Sequence, residues 1–176
     1  EKLDFQKDWE QTNLTLKGIE KVMIIACGTS FYAGQVGKYL IETLAQTPVE
    51  CDIASEFRYR HPVLNSNTLV LTVSQSGETA DTLAAIRLAK EKGCKTLSIC
   101  NVRNSTIDRE AHGHLYMNSG PEIGVASTKA FVSTLTLLNL FAIAFAKIKG
   151  VLTEKIEREH VEALMKLPSQ MEVVLS

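Results

Sequence analysis

The sequence predicts an α/β fold, a three-layer α/β/α sandwich around a five-stranded parallel sheet. Three observations predict it. Short apolar runs rich in β-branched residues recur along the chain, as strands buried on both faces do. Segments of helical spacing separate them. Strand and helix alternate, which means parallel pairing with helices on both faces. Five such strands commonly take the order 2-1-3-4-5. The ligand site of that arrangement lies outside the carboxyl ends of strands 1 and 3, where the winding reverses.

The elements follow in order. Residues 3–13 read as a short amphipathic helix within a lead-in of residues 1–20. KVMIIACG (21–28) is a buried strand ending in glycine. Residues 30–45 have helical spacing through Phe31, Val36, Leu40 and Leu44, and Pro48 breaks that helix. VECDIA (49–54) is a weaker strand and SEFRYR (55–60) a helical turn. NTLVLTVS (67–74) is the third strand, and a helix over 79–92 stops at Gly93. KTLSICN (95–101) is the fourth strand, 105–110 a short helix and HLYMN (114–118) the fifth strand. The loop SGPEIGVAS leads into a long apolar helix over 128–148. Gly150 closes the main domain, taken as 21–150. The segment 151–176 carries a polar amphipathic helix, 153–167, before Pro168.

Composition bounds the function. The 176 residues carry 19 Lys plus Arg against 20 Asp plus Glu, a net charge of −1. No bulk basic field argues for nucleic acid. Ala130–Ala146 is apolar, but Ser133, Thr134, Thr136 and Asn139 interrupt it, so it reads as a helix buried against a sheet and not as a membrane span. The four cysteines, at 27, 51, 94 and 100, form no CxxC pair and read as reduced thiols of a cytoplasmic protein. No signal peptide opens the chain, and a start at Glu1 reads as a piece of something longer. His112 and His114 would share a face if both lay in the fifth strand, but no third ligand accompanies them, so they read as surface residues and no metal is expected.

The informative residues follow strands 1 and 3. Cys27-Gly28-Thr29-Ser30 and Ser74-Gln75-Ser76-Gly77-Glu78-Thr79 are short, rich in hydroxyls, and each opens a helix. Helix N-termini offer unpaired N–H donors and a partial positive charge. Gly77 permits close approach of the backbone, Ser74, Ser76 and Thr79 add hydroxyls, and Gln75 adds an amide. Together they make a phosphate cradle that needs no lysine. Helix capping alone does not need three hydroxyls and a glutamine in six residues. Neither G-x-G-x-x-G nor G-K-[ST] is present, which points to a monophosphate and not to a dinucleotide or nucleoside polyphosphate. After strand 5, Ser127 and Thr128 are natural caps, and Glu122 is the one loop carboxylate well placed to be a base. Arg58 and Arg60 read as structural ion-pair residues in preference to substrate contacts.

CGTS (27–30), SEFRYR (55–60), SQSGETADT (74–82), ICNV (99–102) and EIGVASTKAF (122–131) together resemble the sugar isomerase (SIS) domain. More narrowly, from about Lys21 to Ser176, they resemble the first SIS half of the isomerase region in the glutamine–fructose-6-phosphate aminotransferase family. The resemblance implies a flavodoxin-like SIS fold. It implies that Ser74, Gln75, Ser76 and Thr79 hold the phosphate of a hexose 6-phosphate (fructose, glucosamine or glucose 6-phosphate). Thr29, Ser30, Val125 (through its backbone) and Ser127 would face the sugar. The family joins ammonia from glutamine to fructose 6-phosphate and isomerises the product to glucosamine 6-phosphate, without a cofactor. Its proton-moving glutamate, ring-opening histidine and imine-forming lysine lie in a second SIS half and C-terminal tail, beyond Ser176. The resemblance therefore implies three partners: a second SIS domain, a glutaminase domain and a second copy in a homodimer. No catalytic residue is assured here, with Glu122 the only candidate. A stand-alone SIS isomerase or deglycase and a SIS sugar-phosphate sensor are the alternatives.

Overall fold

A computed structural model describes residues 14–124 and 126–176. The helix expected over 3–13 and the expected backbone contact of Val125 lie outside these residues. The described strands are β1 (Lys21–Ala26), β2 (Val49–Ile53), β3 (Thr68–Ser74), β4 (Lys95–Cys100) and β5 (Gly113–Tyr116). They form one sheet in the order β2-β1-β3-β4-β5, with every pairing parallel. The helices are α1 (Gly28–Ala45), α2 (Ala54–Phe57), α3 (Ala80–Glu91), α4 (Thr106–Glu110), α5 (Lys129–Lys149) and α6 (Glu154–Leu175). The three-layer fold expected from the alternation of apolar runs is the observed one.

Successive strand residues point to opposite faces, so β1 feeds two cores. Val22, Ile24 and Ala26 join Leu69, Leu71, Val73, Leu97 and Ile99 beneath α1 and α5. Met23 and Ile25 join Val70, Phe57, Ala85 and Ala89 beneath α2 and α3. Ile86, Cys100 and Ile107 continue that second layer under α4. Gly34 and Gly37 let α1 approach closely: a Cβ on Gly34 would meet Ile24 Cγ2 at 2.8 Å, and one on Gly37 would meet Leu138 at 2.9 Å. The helix α5 is long and apolar enough to cross a membrane by length and composition. Its Leu138, Phe141, Ala142, Phe145 and Ala146 are instead buried in the sheet core, as the interrupting hydroxyls suggested.

One local expectation differs. The last helix does not stop before Pro168 but runs through it to Leu175. Proline removes one N–H from the helical ladder, and this helix has no buried residue, so water can reach the freed backbone. The histidines lie at the surface as expected, His112 exposed and His114 half-buried, and each has a specific partner. His112 lies just before β5, and its Nδ1 is 3.1 Å from the donating backbone N–H of Thr96 and 2.9 Å from Thr96 Oγ1. Desolvation first, and then the charge of Lys90, lower its pKa. His114 Nδ1 lies 3.4 Å from the buried Asp108 carboxylate. The two imidazoles thus serve different partners.

Candidate functional site

The registers bring the two hydroxyl loops together. Ala26 pairs with Val73, so Cys27 and Ser74 leave the sheet side by side. Ser74 in turn pairs with Cys100, which carries Asn101 to the same edge. This edge lies at the strand-order reversal between β1 and β3, where open α/β sheets place their ligands.

The β3–α3 loop is built largely from its own hydroxyls. Ser74 Oγ is buried, accepts from Gly77 N–H at 3.0 Å and lies 3.3 Å from Thr79 Oγ1. Ser76 is exposed, and its Oγ accepts from Glu78 N–H at 3.2 Å. Each hydroxyl accepts through a lone pair, which leaves its own hydrogen to be donated elsewhere. Gly77 takes φ +67°, a left-handed conformation that favours glycine. It sits so close to Ser105 that an added Cβ would fall 1.9 Å from Ser105 Oγ.

These hydroxyls are not helix caps. The N-cap of α3, Thr79, makes no side-chain capping bond, and neither does Cys27 at the start of α1. Elsewhere side chains do serve helix starts. Thr153 Oγ1 accepts from Ile156 N–H at 3.4 Å in α6, and Glu78 Oε1 accepts from Thr106 N–H at 2.7 Å in α4. The helices at the crevice therefore present first-turn donors without a side-chain cap, with the partial positive charge that accompanies them. Thr29 is exposed and Ser30 half-buried in the first turn of α1.

The β5–α5 loop carries Glu122 and Ser127. Glu122 gathers the start of α5: Oε2 accepts from Ser127 Oγ at 3.1 Å, and Oε1 from Thr128 N–H at 3.1 Å, Thr128 Oγ1 at 3.2 Å and Ala130 N–H at 3.2 Å. The backbone N–H of Thr128 foremost, with the other donors, holds its carboxyl below the ordinary value. An acid held down in this way is a poor general base near neutral pH. Lys129 Nζ donates to Pro121 O at 2.6 Å. Arg58 pairs with Asp81 at 2.8 Å and Arg60 with Asp52 at 2.5 Å, in keeping with the structural use expected of them.

Sequence reasoning gave no role to two residues that organise this edge. Asn101 Nδ2 donates to Gly120 O at 2.8 Å, its Oδ1 accepts from Ser119, and its backbone N–H donates to Gln75 O at 3.2 Å. Glu78 links the β3–α3 loop to α4. The available signal was an amide directly after a strand, and an acid inside a hydroxyl loop. All four cysteines are free thiols, two of them fully buried. Burial pushes Cys100 up to about 12 and Cys51 up to about 11. Among the described residues no group of three or more His, Cys, Asp or Glu side chains could hold a metal ion.

Comparison with known proteins agrees with this geometry. The family model for the SIS domain matches residues 15–144. Over 175 residues the chain is 48% identical to a glutamine–fructose-6-phosphate aminotransferase [isomerizing] of Caldanaerobacter subterraneus subsp. tengcongensis, covering 98% of this chain and 29% of that one. It is 50% identical over 160 residues to the enzyme of that name from Chlorobaculum tepidum, covering 91% and 26%. The C-terminal domain of glucosamine-fructose-6-phosphate aminotransferase from Francisella tularensis superposes with a TM-score of 0.85 at 41% identity, over 88% of this chain and 44% of that one. The chain thus spans between 26% and 29% of the length of these curated relatives. A five-stranded sheet in this order, two hydroxyl loops at its reversal point and a family match across most of its length place the chain in the SIS domain family.

Proposed function

We propose that this chain binds a hexose 6-phosphate and is the first SIS half of the isomerase region of an enzyme that makes glucosamine 6-phosphate from fructose 6-phosphate and glutamine. The carrying observation is the β3–α3 loop. It carries three hydroxyls, Ser74 and Thr79 3.3 Å apart and Ser76 exposed, beside two helix starts without side-chain caps, at the point where this fold takes ligands. Identity to aminotransferases of that name supports the choice of sugar phosphate. In this reading Ser74, Gln75, Ser76 and Thr79 hold the phosphate, while Thr29, Ser30, Ser127 and the backbone of Val125 face the sugar.

The chain's part is binding and orientation. The phosphate is remote from C1 and C2, so the cradle holds substrate and transition state alike and accelerates nothing by itself. Glu122, committed to the start of α5, is not the proton-moving base. That base and the imine-forming group come from elsewhere in the whole enzyme, and no cofactor is called for. The proposal includes a second SIS domain, a glutaminase domain and a second copy as partners, in the cytoplasm. Residues 21–150 then form the sugar-phosphate domain, 1–20 lead into it and 151–176 lead on to the second.

Calorimetric titration with fructose 6-phosphate and with free fructose tests the reading. Selective binding of the phosphorylated sugar supports it, and equal affinity for the two overturns it.

A further inference from the structure

We propose that Glu78 is a positioning residue of the phosphate loop, one that sets the Ser76 hydroxyl toward the ligand by anchoring the loop to the start of α4; this rests on the sugar-phosphate reading above. A carboxylate beside Ser76 is an odd neighbour for a bound dianion, since like charges repel over this range. The structure turns it to another use. Glu78 Oε1 accepts from Thr106 N–H at 2.7 Å, the first residue of α4. The adjoining Gly77 carbonyl accepts from Ile107 N–H at 2.9 Å. Two successive residues of the loop are therefore fastened to one helix start, with Gly77 pressed against Ser105.

The fastening reaches the ligand side through a single residue. While its carboxylate is held by α4, the Glu78 backbone N–H donates to Ser76 Oγ at 3.2 Å. That bond occupies a lone pair of the hydroxyl and leaves its hydrogen to be donated outward. The Glu78 side chain thus fixes the place of its own backbone, whose N–H holds Ser76 Oγ with the hydroxyl hydrogen free for a phosphate. Preorganised donors of this kind act without reorganisation when the anion arrives.

The bond is removable from either end. Glu78→Ala deletes the acceptor. Thr106→Pro deletes the donor at the first helical position, where proline is well tolerated. The preceding Ser105, at φ −63° and ψ 165°, already has the extended conformation a following proline requires. Fructose 6-phosphate and free fructose are titrated into the protein and its variants by calorimetry. Each single variant is expected to weaken fructose 6-phosphate binding roughly tenfold, the scale of one hydrogen bond to a charged group. The double variant is expected to lose clearly less than the sum of the two single ones, because both remove the bond from Thr106 N–H to Glu78, while Thr106→Pro also removes the hydroxyl that bonds Glu78 and accepts from Arg109 Nη2 at 3.2 Å. Glu78→Gln keeps an oxygen acceptor for Thr106 and should stay within about threefold of the parent protein, a rescue that a purely electrostatic role would not show. Affinity within about twofold of the parent in both single variants, or losses that add in the double variant, overturns the inference and leaves the sugar-phosphate reading standing. A parent protein that binds free fructose as well as fructose 6-phosphate overturns both.

Discussion

Asn101 grips Ser119 at two points: its Oδ1 accepts from the Ser119 backbone N–H at 3.0 Å and from Ser119 Oγ at 2.9 Å. The same side chain donates to Gly120 O at 2.8 Å, and its own backbone N–H reaches Gln75 O at 3.2 Å. One residue at the end of β4 therefore joins the β3–α3 loop to the β5–α5 loop.

Replacing Asn101 with Ala removes three side-chain hydrogen bonds from a half-buried position. The expected stability loss is about 1.5–4.5 kcal/mol, given roughly 0.5–1.5 kcal/mol for each neutral bond. Chemical denaturation reads the loss, and faster exchange of the Ser119 amide localises it.

Ser76→Ala should separate binding from folding. Its hydroxyl is exposed and accepts from Glu78 N–H. Fructose 6-phosphate binding should weaken by about 1–3 kcal/mol while stability changes by less than about 1 kcal/mol. A steep fall in stability with unchanged affinity would make Ser76 a turn-former and nothing more.

Gly77→Ala should damage both properties. The left-handed conformation alone costs a β-carbon roughly 1–2 kcal/mol, and the added atom would fall 1.9 Å from Ser105 Oγ and 2.5 Å from Ser105 Cβ. Thermal melting should show the loss. Adding Ser105→Gly should recover the steric part and not the conformational part, whereas adding Ser105→Ala should recover little because the β-carbon remains.

The pH dependence follows from three carboxylates held below the ordinary value: Glu78 by Thr106 N–H, Glu110 by Arg87 and Glu122 by Thr128 N–H foremost. A depressed folded pKa means that the stabilisation is complete above the unfolded value near 4.5 and is lost as pH falls through the lowered folded value. The melting temperature should therefore drop on acidification below about 4.5, and Glu122→Gln should make that drop shallower while lowering the melting temperature at neutral pH.

The sheet was legible in the sequence because strands buried on both faces are apolar throughout, and β1, β3 and β4 have that composition. Short β5 was legible mainly through the alternation around it. The loop hydroxyls stood out in the sequence as a candidate site because Ser74, Ser76 and Thr79 are too many for capping, and the structure gives them bonds other than helix caps. Hidden were the long-range bonds. Nothing in a linear reading pairs Glu78 with Thr106 or Asn101 with Ser119, since each pairing depends on which loops the strand registers bring together. Pro168 misled for a related reason. Proline is a strong local stop, but an exposed helix can run through it where water takes the unpaired carbonyl.

Two ties that hold the β3–α3 loop, Asn101 N–H to Gln75 O and Ile107 N–H to Gly77 O, run from main chain to main chain. The ties themselves do not read side-chain identity at positions 75, 101 or 107, although the Asn101 side chain also holds Ser119 and Gly120 and Ile107 is packed in the core. A relative can therefore keep this loop geometry with a different fourth helix, provided that a buried apolar side chain stands in the place of Ile107. Searches for such relatives are better weighted toward the spacing between the third and fourth strands than toward the letters that fill it.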